Sequence, residues 1–266
     1  MVDRLKGKVA LVTGAGSQGT VVGNGKATAT LFAREGAKVV CVDHIVERAA
    51  ETVAAILAEG GDAVAVAADV TRPGDCEQMV TTAIERYGRL DILHNNVGIG
   101  NRESIREVTE EGWDRVMAVN LKSMVFSTQA AIPHMEAAGG GSIVNIASIA
   151  ALRHYRGIPA YQTSKAGVIG LTINLAGDLG EKNIRVNCIC PGMVWTSMTA
   201  AHMSPERRAV RQRSGFIQDE GTAWDIAWAA VFLASDESRW VTGQVLSIDA
   251  GVTLTTRGGT AEPDRA

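Results

Sequence analysis

Lys8-Val-Ala-Leu-Val-Thr13, Gly14-Ala-Gly-Ser-Gln-Gly-Thr-Val-Val-Gly-Asn-Gly25 and Lys26-Ala-Thr-Ala-Thr-Leu-Phe-Ala-Arg-Glu35 follow one another without a break. The first reads as a short apolar strand, the second as a glycine-rich turn and the third as a helix. In that order bare backbone can approach a pyrophosphate, and the helix N-terminus offers unpaired N–H groups and positive dipole charge. Glycines alone mark only a turn. Their place directly between a strand and a helix is what points to a dinucleotide.

The same alternation continues outward. Strands are expected near 8–13, 38–43, 63–68, 90–95, 141–147, 184–190 and 244–249, and helices near 24–35, 45–59, 73–87, 112–137, 160–181 and 222–235. Val9-Ala-Leu-Val12 and Ile184-Arg-Val-Asn-Cys-Ile-Cys190 are mostly apolar, as strands of a parallel sheet covered on both faces must be. The expected fold class is α/β, a doubly wound (Rossmann) parallel sheet of seven strands with helices on both faces. Pro73 suits a first helical turn, and Gly36 and Gly60 suit helix ends. One catalytic domain is expected over 1–256, with 257–266 as a flexible tail.

The second strand ends in Asp43, where the next βα unit of a dinucleotide fold holds a carboxylate against ribose hydroxyls. A 2′-phosphate would meet that charge, and neither His44 nor Ile45 is an Arg or Lys that offsets it, which favours NAD. The same acid can also cap the helix over 45–59.

Tyr161 and Lys165 stand at i and i+4 on one expected helix and so share a face. An ammonium beside a phenol favours phenolate and makes a general base usable near neutral pH. Alone the pair is weak evidence, since a surface Tyr stacked beside a Lys would read the same. Ser148 at the end of one expected strand, with Asn95 and Pro191 closing two others, places polar groups beyond the carboxyl edge of the sheet, where such folds bind ligands.

With these motifs in order, the chain resembles the short-chain dehydrogenase/reductase family from about Leu5 to Thr253. Thr13 and the glycine loop resemble its cofactor loop, Asp69-Val70 its adenine-contacting pair, and Asn95-Asn-Val-Gly98 its Asn-Asn-Ala-Gly turn. Asn120, Ser148, Tyr161 and Lys165 match its catalytic tetrad, and Pro191-Gly-Met-Val-Trp-Thr196 the segment bordering the nicotinamide. Two departures stand out: Gln18 to Val22 reads as five extra residues in the loop, and Val97 replaces the usual Ala.

The resemblance implies that Tyr161 removes a hydroxyl proton while hydride passes to the nicotinamide. It further implies that Lys165 bonds the ribose, Ser148 positions the substrate oxygen and Asn120 holds a relay water. It assigns Gly14, Ser17, Gly23, Asn24, Gly25, Asp43, Asp69, Val70, Asn95, Gly98, Tyr161, Lys165, Pro191, Val194 and Thr196 to the NAD site, with Gly16 and Gly19 open. It also implies a homotetramer built through the helices near 112–137 and 160–181, with the C-terminal strand at another contact.

The segment Met193 to Ile217 reads as a lid whose Trp195, Met198, Met203 and Phe216 favour an apolar alcohol or ketone. Arg153, His154 and Arg156 could meet an anionic substrate group or simply form a solvated loop. Arg153, Trp195 and Met198 are the expected substrate contacts.

Twenty-six basic against 29 acidic residues give a net charge of −3, and with no basic cluster neither nucleic acid nor membrane is an expected partner. Cys41, Cys76, Cys188 and Cys190 form no metal or disulfide pattern, so no metal is expected. The first residues lack the apolar segment of a signal peptide, and a cytoplasmic location is expected. The leading function is an NAD-dependent secondary-alcohol dehydrogenase. An NADPH-dependent ketoreductase of 3-oxoacyl type is the alternative, and a non-catalytic dinucleotide sensor the reading from another class.

Overall fold

The computed structural model describes residues 3–100, 102–200 and 203–255. The expected tail over 257–266 lies outside the described residues.

Seven strands, β1 (Val9–Thr13), β2 (Lys38–Asp43), β3 (Asp62–Ala67), β4 (Ile92–Asn95), β5 (Gly141–Ile146), β6 (Ile184–Pro191) and β7 (Val245–Ile248), form one sheet in the order β3-β2-β1-β4-β5-β6-β7. All six pairings are parallel. The helices are α1 (Asn24–Arg34), α2 (Val46–Ala58), α3 (Pro73–Tyr87), α4 (Glu110–Met117), α5 (Ser123–Ala137), α6 (Pro159–Leu179), α7 (Ser197–Ala200), α8 (Pro205–Gln212) and α9 (Ala223–Ala234).

The two-residue period of the strands divides the core. Ala10, Val12, Val39 and Cys41 pack with Phe32 of α1, Ile56 of α2 and Ile226 and Val231 of α9 on one face. Val9, Leu11, Val40 and Val42 pack with Met79 and Val80 of α3, Met135 of α5 and Leu179 of α6 on the other. Full burial of a side chain such as Phe32 is worth roughly 1.5–3 kcal/mol, so each face contributes by accumulation.

On the face covered by α5 and α6 runs a chain of polar side chains. Ser127 Oγ donates to Asn95 Oδ1 (2.7 Å), Asn95 Nδ2 to Asn145 Oδ1 (2.9 Å) and Asn145 Nδ2 to Thr172 Oγ1 (3.0 Å). Asn95 and Asn145 are register partners on β4 and β5, so this network ties α5 and α6 to the middle of the sheet.

Local signals fix the ends. Pro73 opens α3 and Gly88 closes it at φ 80°, while a reciprocal Thr222–Asp225 capping box starts α9. The helix expected over 112–137 is interrupted. Thr109 Oγ1 accepts from Gly112 N (3.0 Å) and starts α4 two residues earlier, and a π-helical stretch, Ala118–Lys122, separates α4 from α5. The wider turn sets Asn120, fully buried, toward the site. Ser204 caps α8 ahead of Pro205, giving the expected lid segment a helix of its own.

Candidate active site

The order of strands reverses between β1 and β4, and beyond the carboxyl ends of the sheet opens a cleft of about 2020 Å³. A drug-sized ligand needs at most about 1,000 Å³, so this volume accommodates a dinucleotide and a second molecule.

The glycine loop forms one wall. Gly14 sits at φ +64°, and a methyl group on Gly25 would lie 2.0 Å from the Gly14 carbonyl oxygen, so only glycine fits that helix start. Gly23 precedes α1 with no side-chain cap, no acid occupies the first turn, and Asn24 Oδ1 is buried without a partner. The uncapped N–H groups at the start of α1 fit a pyrophosphate, whereas Asn24 Oδ1 only accepts and calls for a donor such as a hydroxyl. Ser17 Oγ accepts from Gly23 N (2.8 Å), closing the loop from behind instead of lining the cleft. Gln18, from the stretch expected to be extra, does line it.

Asp43, mostly buried, accepts from Gly16 N through Oδ2 (3.1 Å) and from Ile45 N through Oδ1 (3.0 Å). Its bond to Ile45 is a local turn; Ile45 itself takes the cap position of α2, so the acid clamps the glycine loop and does not cap the helix. His44 and Arg48 line the cleft beside it. Asp69 and Val70 form the neighbouring wall. Thr71 donates to Asp69 from its hydroxyl (2.7 Å) and its backbone N (3.0 Å), which holds the carboxyl below its ordinary value.

Asn95, expected at the cofactor, is spent in the buried network and does not line the cleft. Its neighbour Asn96 has the tying role that the sequence reading missed. Asn96 Nδ2 donates to the carbonyl oxygens of Thr13 (3.1 Å) and Gly14 (3.2 Å), and its N–H donates to Thr13 Oγ1 (3.0 Å). Alternation along β4 sends one asparagine into the sheet and the next to its edge, and the residue types alone carry no signal for which.

Asn120 Nδ2 donates to the Ile99 carbonyl (3.0 Å) and to Ser164 Oγ (3.0 Å), while Oδ1 accepts from Ile99 N (2.8 Å). Both donors are committed to holding the 96–99 turn against α6. A methyl group on Gly98 would lie 3.1 Å from Lys165 Nζ and 3.5 Å from Asn120 Oδ1, so this turn, the lysine and the asparagine converge. Ser148 ends the β5 connection, with its Oγ accepting from Ala150 N (3.1 Å).

Lys165 is buried, with Nζ 5.9 Å from the centre of the Tyr161 ring and donating to the Ile146 carbonyl (2.9 Å). Without a bound ligand the electrostatics run opposite to the sequence expectation. Burial pushes the Tyr161 phenol above its ordinary value, opposed by the Ser148 hydroxyl, and pulls Lys165 down to about 8. Desolvation favours the neutral form of each group.

Pro191, Val194, Thr196 and Met198 line the opposite wall with Met193 and Met203. Two expected substrate contacts do not line the cleft. The guanidinium of Arg153 donates to the Val252 carbonyl, and the Trp195 ring lies 3.9 Å under the Arg208 guanidinium, which Glu220 pairs from the other side. Arg156, Tyr155 and Arg211 are at the cleft instead. Phe216, also expected in the lid's apolar lining, is largely exposed and packs against Gly251. Among the described residues no group of three or more His, Cys, Asp or Glu side chains is placed to hold a metal ion.

A parallel α/β sheet with a glycine-lined cleft at its switch point defines a nucleotide-binding architecture, and comparison with known proteins gives the family. The sequence model of a family described as enoyl-(acyl carrier protein) reductase matches residues 19–253. A 3-oxoacyl-(acyl-carrier-protein) reductase of Thermotoga maritima is 39% identical, covering 94% of this chain and 100% of that protein. Cyclohexanol dehydrogenase of an Acinetobacter species is 38% identical, covering 95% and 98%. The solved structure of a 7 alpha-hydroxysteroid dehydrogenase complexed with NADH and 7-oxo glycochenodeoxycholic acid superposes with TM-score 0.88 at 37% identity, over 94% of this chain and 96% of that one. The chain belongs to the short-chain dehydrogenase/reductase family of oxidoreductases.

Proposed function

We propose that this protein oxidises a secondary alcohol, or reduces the corresponding ketone, with NAD, using Tyr161 as general acid and base. The observation that carries the reading is the convergence of Lys165 and Asn120 on the Gly98 turn with the Tyr161 ring beside Lys165, at the cleft lined by the glycine loop. The nicotinamide, when bound, supplies the hydride acceptor or donor. Tyr161 Oη exchanges the proton with the substrate oxygen, and the Ser148 hydroxyl holds that oxygen. The Lys165 ammonium bonds the ribose and favours phenolate. Asn120 fixes the turn and α6 in register, so its part is positioning; a relay water is supported only at the second lone pair of Oδ1.

Met193, Met198 and Met203 at the cleft support an apolar carbon skeleton beside the reacting carbon. The preference for NAD rests on Asp43 at the end of β2. His44 and Arg48 beside it favour the second reading, an NADPH-dependent ketoreductase, because two groups able to carry positive charge could receive a 2′-phosphate. Gln18 to Val22 we read as an extension covering the phosphate end. A homotetramer is supported by Val125 and Ile173, apolar and exposed on α5 and α6, and by Trp228 and Leu246 on α9 and β7. Among the described residues no helix is long and apolar enough to cross a membrane. A cytoplasmic location is a separate part of the proposal.

The test is nicotinamide absorbance with a panel of secondary alcohols, cyclohexanol among them, in parallel with NAD and NADP. Turnover with NAD supports the proposal, and turnover only with NADP supports the second reading. Cofactor binding without turnover of any alcohol or ketone would leave the sensor reading standing.

A further inference from the structure

Arg208 and Arg211 stand three residues apart on α8, yet their surroundings differ. Arg208 is paired with Glu220 (Nε to Oε1, 2.8 Å) and stacked on Trp195. Arg211 has only the Val194 carbonyl, 3.5 Å from Nη2, and among the described residues no carboxylate lies within 4.0 Å of it. It is half-buried and lines the cleft. Across from α8, six residues before Tyr161, Tyr155 lines the same cleft with its hydroxyl buried and, among the described residues, without a hydrogen-bond partner. The Tyr155 backbone is held by Gln162 Oε1, 3.3 Å from its N–H.

A buried hydroxyl left unpaired costs roughly 1–3 kcal/mol, and a guanidinium withdrawn from water without a counter-charge adds to that. Two such groups beside the reacting centre describe a ligand by what they lack. A neutral hydroxyl or amide would satisfy the tyrosine and leave the charge. A carboxylate accepts only, presents a flat edge of two oxygens to the guanidinium fork, and keeps a lone pair for the phenol. Each group also feels the other. Burial pushes the Tyr155 phenol up while the guanidinium groups of Arg153 and Arg211 draw it down, and desolvation lowers Arg211 while Tyr155 and Glu220 oppose it.

We propose that the substrate of this enzyme carries a carboxylate, held by the Arg211 guanidinium and the Tyr155 hydroxyl while its alcohol or ketone carbon faces Tyr161. The inference deepens the dehydrogenase reading and rests on it for the position of the reacting carbon. It moves the anion contact considered for Arg153 to Arg211 on α8.

The experiment compares matched ligands. Calorimetry with the purified protein, in the presence of NADH and separately of NADPH, measures cyclohexanecarboxylate against cyclohexanecarboxamide, neither of which can react. Kinetics measure kcat/KM for 4-hydroxycyclohexanecarboxylate against cyclohexanol. We expect the charged member to be favoured at least about tenfold in both, as a charge-assisted bond warrants. That ratio should collapse toward one in Arg211→Gln, recover in part in Arg211→Lys, and fall several-fold in Tyr155→Phe. Equal affinity for acid and amide in the wild-type protein overturns the proposal, as does a ratio that survives Arg211→Gln. Carboxylate binding through Arg211 without turnover of any alcohol would sink the dehydrogenase reading and leave the anion site. Turnover without acid preference would do the reverse.

Discussion

Lys165 Nζ donates a 2.9 Å hydrogen bond to the carbonyl of Ile146, so the one buried ammonium of the site is tethered to the last residue of β5, two residues before Ser148. The tether fixes the amine at the cleft floor, and burial lowers its pKa to about 8. Below that pH the amine is charged and can make a charge-assisted bond to ribose hydroxyls; above it the charge goes. Cofactor affinity, followed by quenching of the five tryptophans on titration with NADH, is expected to weaken as pH rises through about 8. In Lys165→Met the profile should be flat and weaker throughout. A wild-type affinity that does not change across that range would show that the charge plays no part in binding.

Replacing Tyr161 by Phe removes a hydroxyl and keeps the ring that packs beside Lys165. General acid–base catalysis contributes typically 10²–10⁴-fold, so kcat should fall by roughly three orders of magnitude with NADH affinity kept. Single-turnover measurements on the variant would reject the assignment if the chemical step ran near the wild-type rate.

His94 is fully buried on β4 edge-on to Phe32, ring centres 6.0 Å apart, and neither ring nitrogen has a partner. Burial depresses its pKa from 6.5 to about 3. A depressed basic group is neutral in both states above about 6.5, so its full contribution to stability is present there. As pH falls from 6.5 toward 3 the unfolded chain takes up the proton first, and stability on the order of 5 kcal/mol is lost. His94→Leu should flatten this part of the profile, and denaturant unfolding at neutral pH and at about pH 4 measures the difference.

Asp43 bonds the loop N–H of Gly16, and the proposed NAD preference assigns it the ribose hydroxyls as well. Asp43→Ala should lower the preference for NAD over NADP by about tenfold or more, as loss of a charged hydrogen bond is worth roughly 1.5–3 kcal/mol. Unchanged selectivity in paired kinetic assays would reduce the acid to a clamp on the glycine loop.

Most of the sheet was legible because each strand is short, apolar and bounded by glycine, proline or an acid. Thr13, Asp43 and Pro191 stand at the strand ends expected for them. What failed to show in the sequence depends on direction. Asn95 and Asn96 are the same residue type one step apart, and only the pleat decides that the first joins Asn145 and the second reaches the glycine loop. Arg153 and Arg211 illustrate the same limit, since proximity in sequence to Tyr161 favoured the one that turns toward Val252. The break at Ala118–Lys122 lacks the proline or glycine that usually announces one, and it is set by the bonds that Asn120 makes after folding.

That break changes how the chain would tolerate shortening. One turn of an ordinary helix takes 3.6 residues, and a π turn holds roughly one more, so each residue there carries about 80° of rotation instead of about 100°. Deleting a single residue between 118 and 122 would restore a regular spiral with α4 and α5 nearly in their present phase, because the wider turn already absorbs the surplus residue, but it would lose the bulge that carries Asn120. One surplus amino acid thus serves to aim Asn120 while the helices on either side keep their phase.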